Sequence, residues 1–275
     1  MKLNKLIAIA TISLLSGGIS MAQKALNLED IVAGNVIQTK GIGSMTWLKD
    51  GERYSRLENN KQTGGTDIVA YQAKDNSREV IIPSSLLTDK STGKPIPARS
   101  ISWSADNEKV LIYNNTQRVW RYDTRGDYWV LNLKDGALRQ LGKGMPESSM
   151  MFAKFSPDGT RVAYVSNNNI YVEDIDSGKI TQLTKDGSDT IVNGTFDWVY
   201  EEEFSCRDGF RWSPDGKHIA YWQSDTKGTG VFDIINNVDS IYAKVIHFPY
   251  PKIPGTTTCP VWNSSPKATS CSYSN

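Results

Sequence analysis

The chain has 275 residues, 39% of them hydrophobic, which is enough for one or two domains with real cores. Thirty-one Lys+Arg against thirty Asp+Glu leave a formal charge of +1, a balance that argues against a nucleic-acid-binding arm, a polybasic membrane patch or an acidic tail. At 22% charged and 10% aromatic the chain does not have a disordered composition; its three cysteines are too few for a disulfide scaffold and badly spaced for zinc.

The first segment reads as an address. Lys2 and Lys5 precede the apolar run Leu6–Leu15, and Ser20-Met21-Ala22 supplies small residues at the −3 and −1 positions of a cleavage site. The run is about half of the roughly 20 apolar residues that a spanning helix needs. Residues 1–22 are therefore expected to be a signal peptide removed after Ala22. The mature protein is expected outside the cytoplasm, in the periplasm or at the cell surface of a bacterium.

A repeat organises the rest of the chain. Trp47-Leu48-Lys49-Asp50-Gly51, Trp103-Ser104-Ala105-Asp106-Asn107, Phe155-Ser156-Pro157-Asp158-Gly159 and Trp212-Ser213-Pro214-Asp215-Gly216 begin 52 to 57 residues apart. Behind these turns come alternating runs: Lys109–Tyr113, Arg161–Val165 and His218–Trp222. Each reads as a hairpin of half-buried strands. A second hairpin recurs, Tyr71–Asn76 into Glu79–Ile82, Trp129–Gly136 into Leu138–Leu141, and Tyr171–Gly178 into Ile180–Leu183. Two hairpins per unit make the four antiparallel strands of a propeller blade. A β-sandwich would not repeat one turn phrase at a fixed interval. The expected fold is all-β, with about four to five blades of an incomplete β-propeller.

From Ile253 the alternation stops. Cys259 and Cys271 appear among small polar residues up to Asn275. Residues 253–275 are expected to be an aberrant or disordered tail. The chain is read as the first part of a larger protein, interrupted by a slipped frame or a decayed gene, and a half-built ring would leave sheet edges prone to aggregation.

Little else in the chain carries chemistry. No Gly-x-Ser-x-Gly pentapeptide occurs; Gly41-Ile42-Gly43-Ser44-Met45 comes nearest and lacks the second glycine. His218 and His247, the two histidines of the chain, lie in strand-like text and are read as structural, Cys206 as a lone thiol, and Asp174–Gly178 as a hairpin turn without the twelfth-position glutamate of a calcium loop. No residue pattern calls for a metal or a cofactor, and no catalytic group is assigned. Asn114, Asn193 and Asn263 stand in glycosylation-type triplets, an idle match behind a bacterial signal peptide.

One cluster interrupts the strand rhythm: Phe196-Asp197-Trp198-Val199-Tyr200-Glu201-Glu202-Glu203-Phe204. Asp197 is placed to cap a short helix, with three glutamates near its start. Three adjacent like charges cost energy unless a cation answers them. One reading is a solvated acidic turn; the other is a carboxylate pair that grips a cationic ligand group.

Asp197–Glu203 resembles the signature loop of the dipeptidyl peptidase IV family, within the prolyl oligopeptidase group of serine peptidases. Val119-Trp120-Arg121-Tyr122 with Asp127–Leu131, and Phe248-Pro249-Tyr250-Pro251-Lys252, are similar to two further stretches of that family. The resemblance covers residues 26–252. It implies a propeller that, in known members, has eight blades and caps an α/β-hydrolase domain. It implies that Glu202 and Glu203 hold the free α-amino group of a peptide, that Arg121 contacts the carbonyl of the penultimate residue, and that Glu201 supports the loop.

The expected partners are then peptide N-termini with a penultimate proline and, if encoded downstream, the hydrolase domain; the resemblance admits a homodimer of the full-length form. The expected activity is release of X-Pro dipeptides, with the serine, aspartate and histidine outside this chain, which is expected to be inactive alone. The alternatives are a non-catalytic envelope propeller that binds peptides or proteins, and part of a prolyl tripeptidyl peptidase.

Overall fold

The computed structural model of the chain describes residues 27, 28, 32, 41, 43–119, 121–196, 198–225, 230–236, 238, 242, 244–250 and 267–272. The chain divides into Met1–Gly43 and Ser44–Asn275, and among the described residues every sheet lies in the second unit. The expected signal peptide lies outside the described residues, as do Lys252 and residues 253–266.

Three consecutive meanders open the second unit. The first contains β1 (Thr46–Trp47), β2 (Arg53–Asn59), β3 (Thr66–Gln72) and β4 (Arg78–Ile82), paired in sequence order. A single 3-10 turn at Ser84–Leu87 and a small hairpin, β5 (Thr88–Asp89) with β6 (Lys94–Pro95), lead to the second. That sheet holds β7 (Ser100–Trp103), β8 (Lys109–Val119), β9 (Tyr122–Asn132) and β10 (Leu138–Gln140). The third holds β11 (Met151–Phe155), β12 (Arg161–Ser166), β13 (Asn169–Asp174) and β14 (Ile180–Gln182). These are the four-stranded antiparallel blades that the repeat predicts.

The repeated turn phrase is a clip built from its own side chains. Ser104, Ser156 and Ser213 each donate a hydroxyl to the aspartate two residues on, at 2.6, 2.6 and 2.5 Å. The same hydroxyls accept the N–H of Lys109, Arg161 and His218 at 2.9 to 3.0 Å. This ties the two strands through contacts two to five residues apart. Burial acts to raise Asp158, but bonds from Ser156 and Thr160 outweigh it and hold the carboxyl down at about 2. Asn107 (φ 58°), Gly159 (φ 69°) and Gly216 (φ 68°) take the left-handed position that closes each turn.

The cores lie between neighbouring sheets. Ile68 and Ile82 of the first pack with Val110, Ile112 and Leu131 of the second. Leu111, Tyr128 and Val130 of the second pack with Val162 and Tyr164 of the third. Ala163, Val165, Ile170 and Val172 of the third meet Phe210, Ile219 and Tyr221 beyond it. Even and odd residues of one strand thus serve two cores, so β12 is buried at five successive positions from Val162 to Ser166. The half-buried alternation expected at Arg161–Val165 is corrected here: a blade with neighbours on both faces buries both sides of its middle strands. Tryptophans lock blade to blade. Trp103 Nε1 donates to Ser55 Oγ at 2.9 Å and Trp212 Nε1 to the Lys154 carbonyl at 3.3 Å.

The fourth sheet departs from the meander. It contains β15 (Ile191–Asn193), then, after the helix α1 (Trp198–Phe204), β16 (Phe210–Trp212) and β17 (His218–Asp225). β17 alternates exposed and buried residues from His218 to Trp222. β18 (Gly230–Asn236) pairs with β19 (Lys244–Tyr250), and the remaining side of β17 is taken by β20 (Lys267–Ser272), from His218 opposite Ser272 to Gln223 opposite Lys267. Among the described residues of the segment 253–275, expected to be an aberrant or disordered tail, Lys267–Ser272 form this strand. Backbone pairing needs no side-chain alternation, so a run of small residues fills an available sheet edge as well as a patterned one.

Candidate functional site

The helix α1 is seven residues long and places three consecutive glutamates in three environments. A helix turns about 100° per residue, so neighbours in sequence point in different directions. Glu201 turns inward and is 2% exposed. Arg207 Nη1 lies 3.2 Å from its Oε2 in an ion pair, with the glutamate side chain 1% exposed. Neither Glu201 oxygen receives an aligned hydrogen bond, so this arginine is the charge that makes its burial tolerable. Glu202 lies sideways, its side chain 11% exposed. Glu203 faces solvent.

The sequence places the glutamates near the helix start; Glu202 and Glu203 instead occupy its second half. The expected cap, Asp197, lies outside the described residues, as do Trp120 and the side chains of Trp198, Val199 and His247. The helix ends where Ser205 adopts φ 50° and Cys206 N–H turns back to the Tyr200 carbonyl at 3.0 Å. An aromatic column fixes it from the other side: Tyr200 stacks on Phe196 at 4.7 Å, and Phe196 tilts against Trp222 of β17 at 5.6 Å.

Arg121 arrives from a different blade. β8 and β9 are eleven residues each and run past the ends of their sheet, and Arg121 sits in the turn closed by Val119 opposite Tyr122. Its Nε lies 2.6 Å from Glu202 Oε2, with the arginine side chain 71% exposed. Two residues singled out from sequence, 81 positions apart, are thus brought into contact across the intervening third blade. One mostly exposed cation answers a carboxylate largely removed from water, while Glu203, next along the helix, faces solvent.

Burial pushes the Tyr113 phenol up to about 12, so under the arm it remains a donor, 2.8 Å from the carbonyls of both Asp123 and Arg125. Gly126 lets the arm close on this ring: a Cβ there would clash with Tyr113 Cε2 and meet the Asn114 carbonyl at 2.7 Å.

His218 is exposed on its strand and Cys206 is half-buried. Asn114 and Asn193 are 9% and 0% exposed, so the amides of these two triplets are not surface groups; Asn263 lies outside the described residues. Among the described residues no group of three His, Cys, Asp or Glu side chains is placed to hold a metal ion. Arg207 was missed from sequence, although it is the first cation after the glutamate run and a buried glutamate demands one.

The sequence profile of the dipeptidyl peptidase IV (DPP IV) N-terminal region matches residues 104–267, more than half of the chain. A curated protein of Talaromyces stipitatus named "Probable dipeptidyl-aminopeptidase B" is 30% identical over 220 residues, 77% of this chain and 24% of that protein. The Chaetomium globosum protein of the same name is 35% identical over 138 residues, 50% of this chain and 15% of its own. The crystal structure of Porphyromonas gingivalis dipeptidyl peptidase 4 superposes with a TM-score of 0.71 at 26% identity, covering 83% of this chain and 32% of that one. The chain thus spans about a quarter or less of these curated relatives and about a third of the solved structure. With all-β blades, the glutamate helix and the profile match over its larger part, this chain belongs to the dipeptidyl peptidase IV N-terminal region family.

Proposed function

We propose that this propeller segment recognises the free amino terminus of a peptide for an exported serine-type prolyl dipeptidyl peptidase. The observation that carries the reading is the 2.6 Å pairing of Arg121 with Glu202, with Glu203 next along the same helix. A peptide ammonium has three N–H donors and suits two carboxylates; charge-assisted bonds of this kind contribute about 1.5–3 kcal/mol each where water is excluded. Arg121 meets Glu202 through Nε. The rest of its planar fork is suited to a peptide carbonyl, and its charge does not titrate away.

Counting from a charged terminus selects exopeptidase chemistry. A blocked or internal peptide brings no ammonium to these carboxylates and forfeits the charge-assisted bonds, which is the basis of discrimination in this reading. In this reading the penultimate proline, and the serine that attacks after it, are handled by a hydrolase domain outside these residues. Export rests on Lys2, Lys5, the run Leu6–Leu15 and the cleavage pattern at Ser20–Ala22. N-terminal sequencing of the secreted product would find Gln23 first if that reading holds.

The direct test is a calorimetric titration of the chain with Ala-Pro-Gly-Gly and its N-acetyl form, for wild type, Glu202→Gln and Arg121→Ala. The free amine should bind at least tenfold more tightly than the acetylated peptide; Glu202→Gln should erase the difference, and Arg121→Ala should weaken binding of both peptides. Equal binding of both peptides would leave a plain scaffold and sink the amine clamp.

A further inference from the structure

The arm that carries Arg121 is held by a polar network at its base, at the edge of the core that contains Tyr128 and Met150. Asn115 takes a left-handed conformation, φ 44°, where β8 leaves its sheet, and Ser148 does the same, φ 52°, on the segment beside it. Asn115 Nδ2 donates to Asp127 Oδ2 at 2.7 Å and to Glu147 Oε1 at 2.8 Å. Asp127, 7% exposed, spends its other oxygen on the Ser148 N–H at 2.8 Å. Ser148 Oγ returns a bond to the Asn115 carbonyl at 2.7 Å. Below this ring of contacts, Gly126 and Met150 exchange backbone bonds of 3.0 and 3.1 Å.

Two non-glycine residues in a sparsely populated conformation persist only where their surroundings over-determine them. Here each stabilises the other, and together they set the direction in which residues 116–125 leave the blade. The register slips twice above this point, between Asn114 and Gln117 and between Gln117 and Arg118. The ladder alone therefore does not fix where the tip goes.

We propose that Asn115, Asp127, Glu147 and Ser148 are positioning residues: they aim the arm so that Arg121 reaches Glu202. The inference rests on the amine-recognition reading for its functional consequence, but its structural half stands by itself. Without the base the arm still forms a hairpin and samples a range of directions. Arg121 then meets Glu202 only part of the time, and the affinity for a free amino terminus falls by the lost fraction.

The test uses Asn115→Gly, which keeps the left-handed backbone and removes both amide bonds, and Glu147→Gln, which keeps an acceptor for the amide. Hydrogen exchange read by mass spectrometry should accelerate about tenfold over residues 116–125 in Asn115→Gly, the equivalent of one or two ordinary hydrogen bonds lost. Exchange over residues 162–172 should stay as in wild type. Affinity for Ala-Pro-Gly-Gly should fall by a similar factor, and Glu147→Gln should behave as wild type in both assays.

Unchanged exchange in Asn115→Gly overturns the proposal, as does equal acceleration throughout the chain, which marks a merely structural role. Should Asn115→Gly fail to fold, Ser148→Ala replaces it, with an expected effect of about threefold for one bond. Arg121→Ala separates the two ideas. If it leaves peptide affinity unchanged, the amine reading fails while the exchange data still decide the role of the base.

Discussion

The central hairpins of the second and third blades start from the same turn clip and end differently. In the third, β12 and β13 are six residues each and close at Asn167 and Asn168, φ 47° and 59°, the turn whose twist matches that of the strands. In the second, the strands run to eleven residues, pass two irregularities and end at Arg121. The shorter hairpin is buried on both faces and serves two cores. The longer one leaves the cores at Asn114 and relies on polar contacts. A single blade plan thus supplies both rigid scaffold and reach, and the divergence lies in what happens after the last core residue.

Truncation should make the contrast plain. Tyr164 is 0% exposed, stacked on Tyr171 at 5.8 Å and bonded to Glu173 at 3.3 Å. Tyr164→Ala should cost about 3–5 kcal/mol of unfolding free energy in urea titrations, in line with large aromatic truncations in cores. Tyr122→Ala, on the arm and 53% exposed, should stay within about 0.5 kcal/mol. Equal losses would mean that the arm belongs to the core after all.

Peptide binding should show the reverse ordering. Glu202→Gln and Arg121→Ala should each weaken free-amine peptide affinity by about 10- to 100-fold while leaving the urea midpoint nearly unchanged. Gly126 sits where the two regimes meet. The Cβ of Gly126→Ala would press into the Tyr113 ring and the Asn114 carbonyl, and should cost about 1–3 kcal/mol in the same titration.

A more modest effect is a pH dependence on the scaffold side. Lys154 of β11 is ion-paired with Asp208 at 2.6 Å and lies 3.4 Å above the Phe210 ring. Burial pulls its ammonium down from 10.5 to about 8, against the pull of Asp208. The unfolded chain therefore holds more protons than the folded one between about pH 8 and 10.5, so this group favours folding more as pH rises through that window. The stability difference between wild type and Lys154→Met should shift in favour of wild type by on the order of 1 kcal/mol from pH 8 to 10. A flat difference would mean that the amine is solvated.

Much of the blade plan was legible because its signals are local. Ser156, Asp158 and Gly159 carry their turn within six residues, and Gly178 closes the next hairpin at φ 71° with Ser177 bonded to Asp174 at 2.8 Å. The glutamate run was visible for the same reason. What the run does was not, since the separate fates of Glu201, Glu202 and Glu203 depend on which way one helical turn faces and on Arg207 and Arg121 arriving from elsewhere.

The repeat, the turns and the identity of the charged cluster can therefore be read directly from the order of residues, because hydrogen bonds between residues two to five apart form in any context. Burial of β12 on both faces, the filling of the β17 edge by β20 and the meeting of Arg121 with Glu202 follow from the packed fold. Each of these joins segments tens of residues apart. Their closure depends on how whole blades stack, and stacking is driven by apolar area summed over many side chains, with no local signature for any one contact.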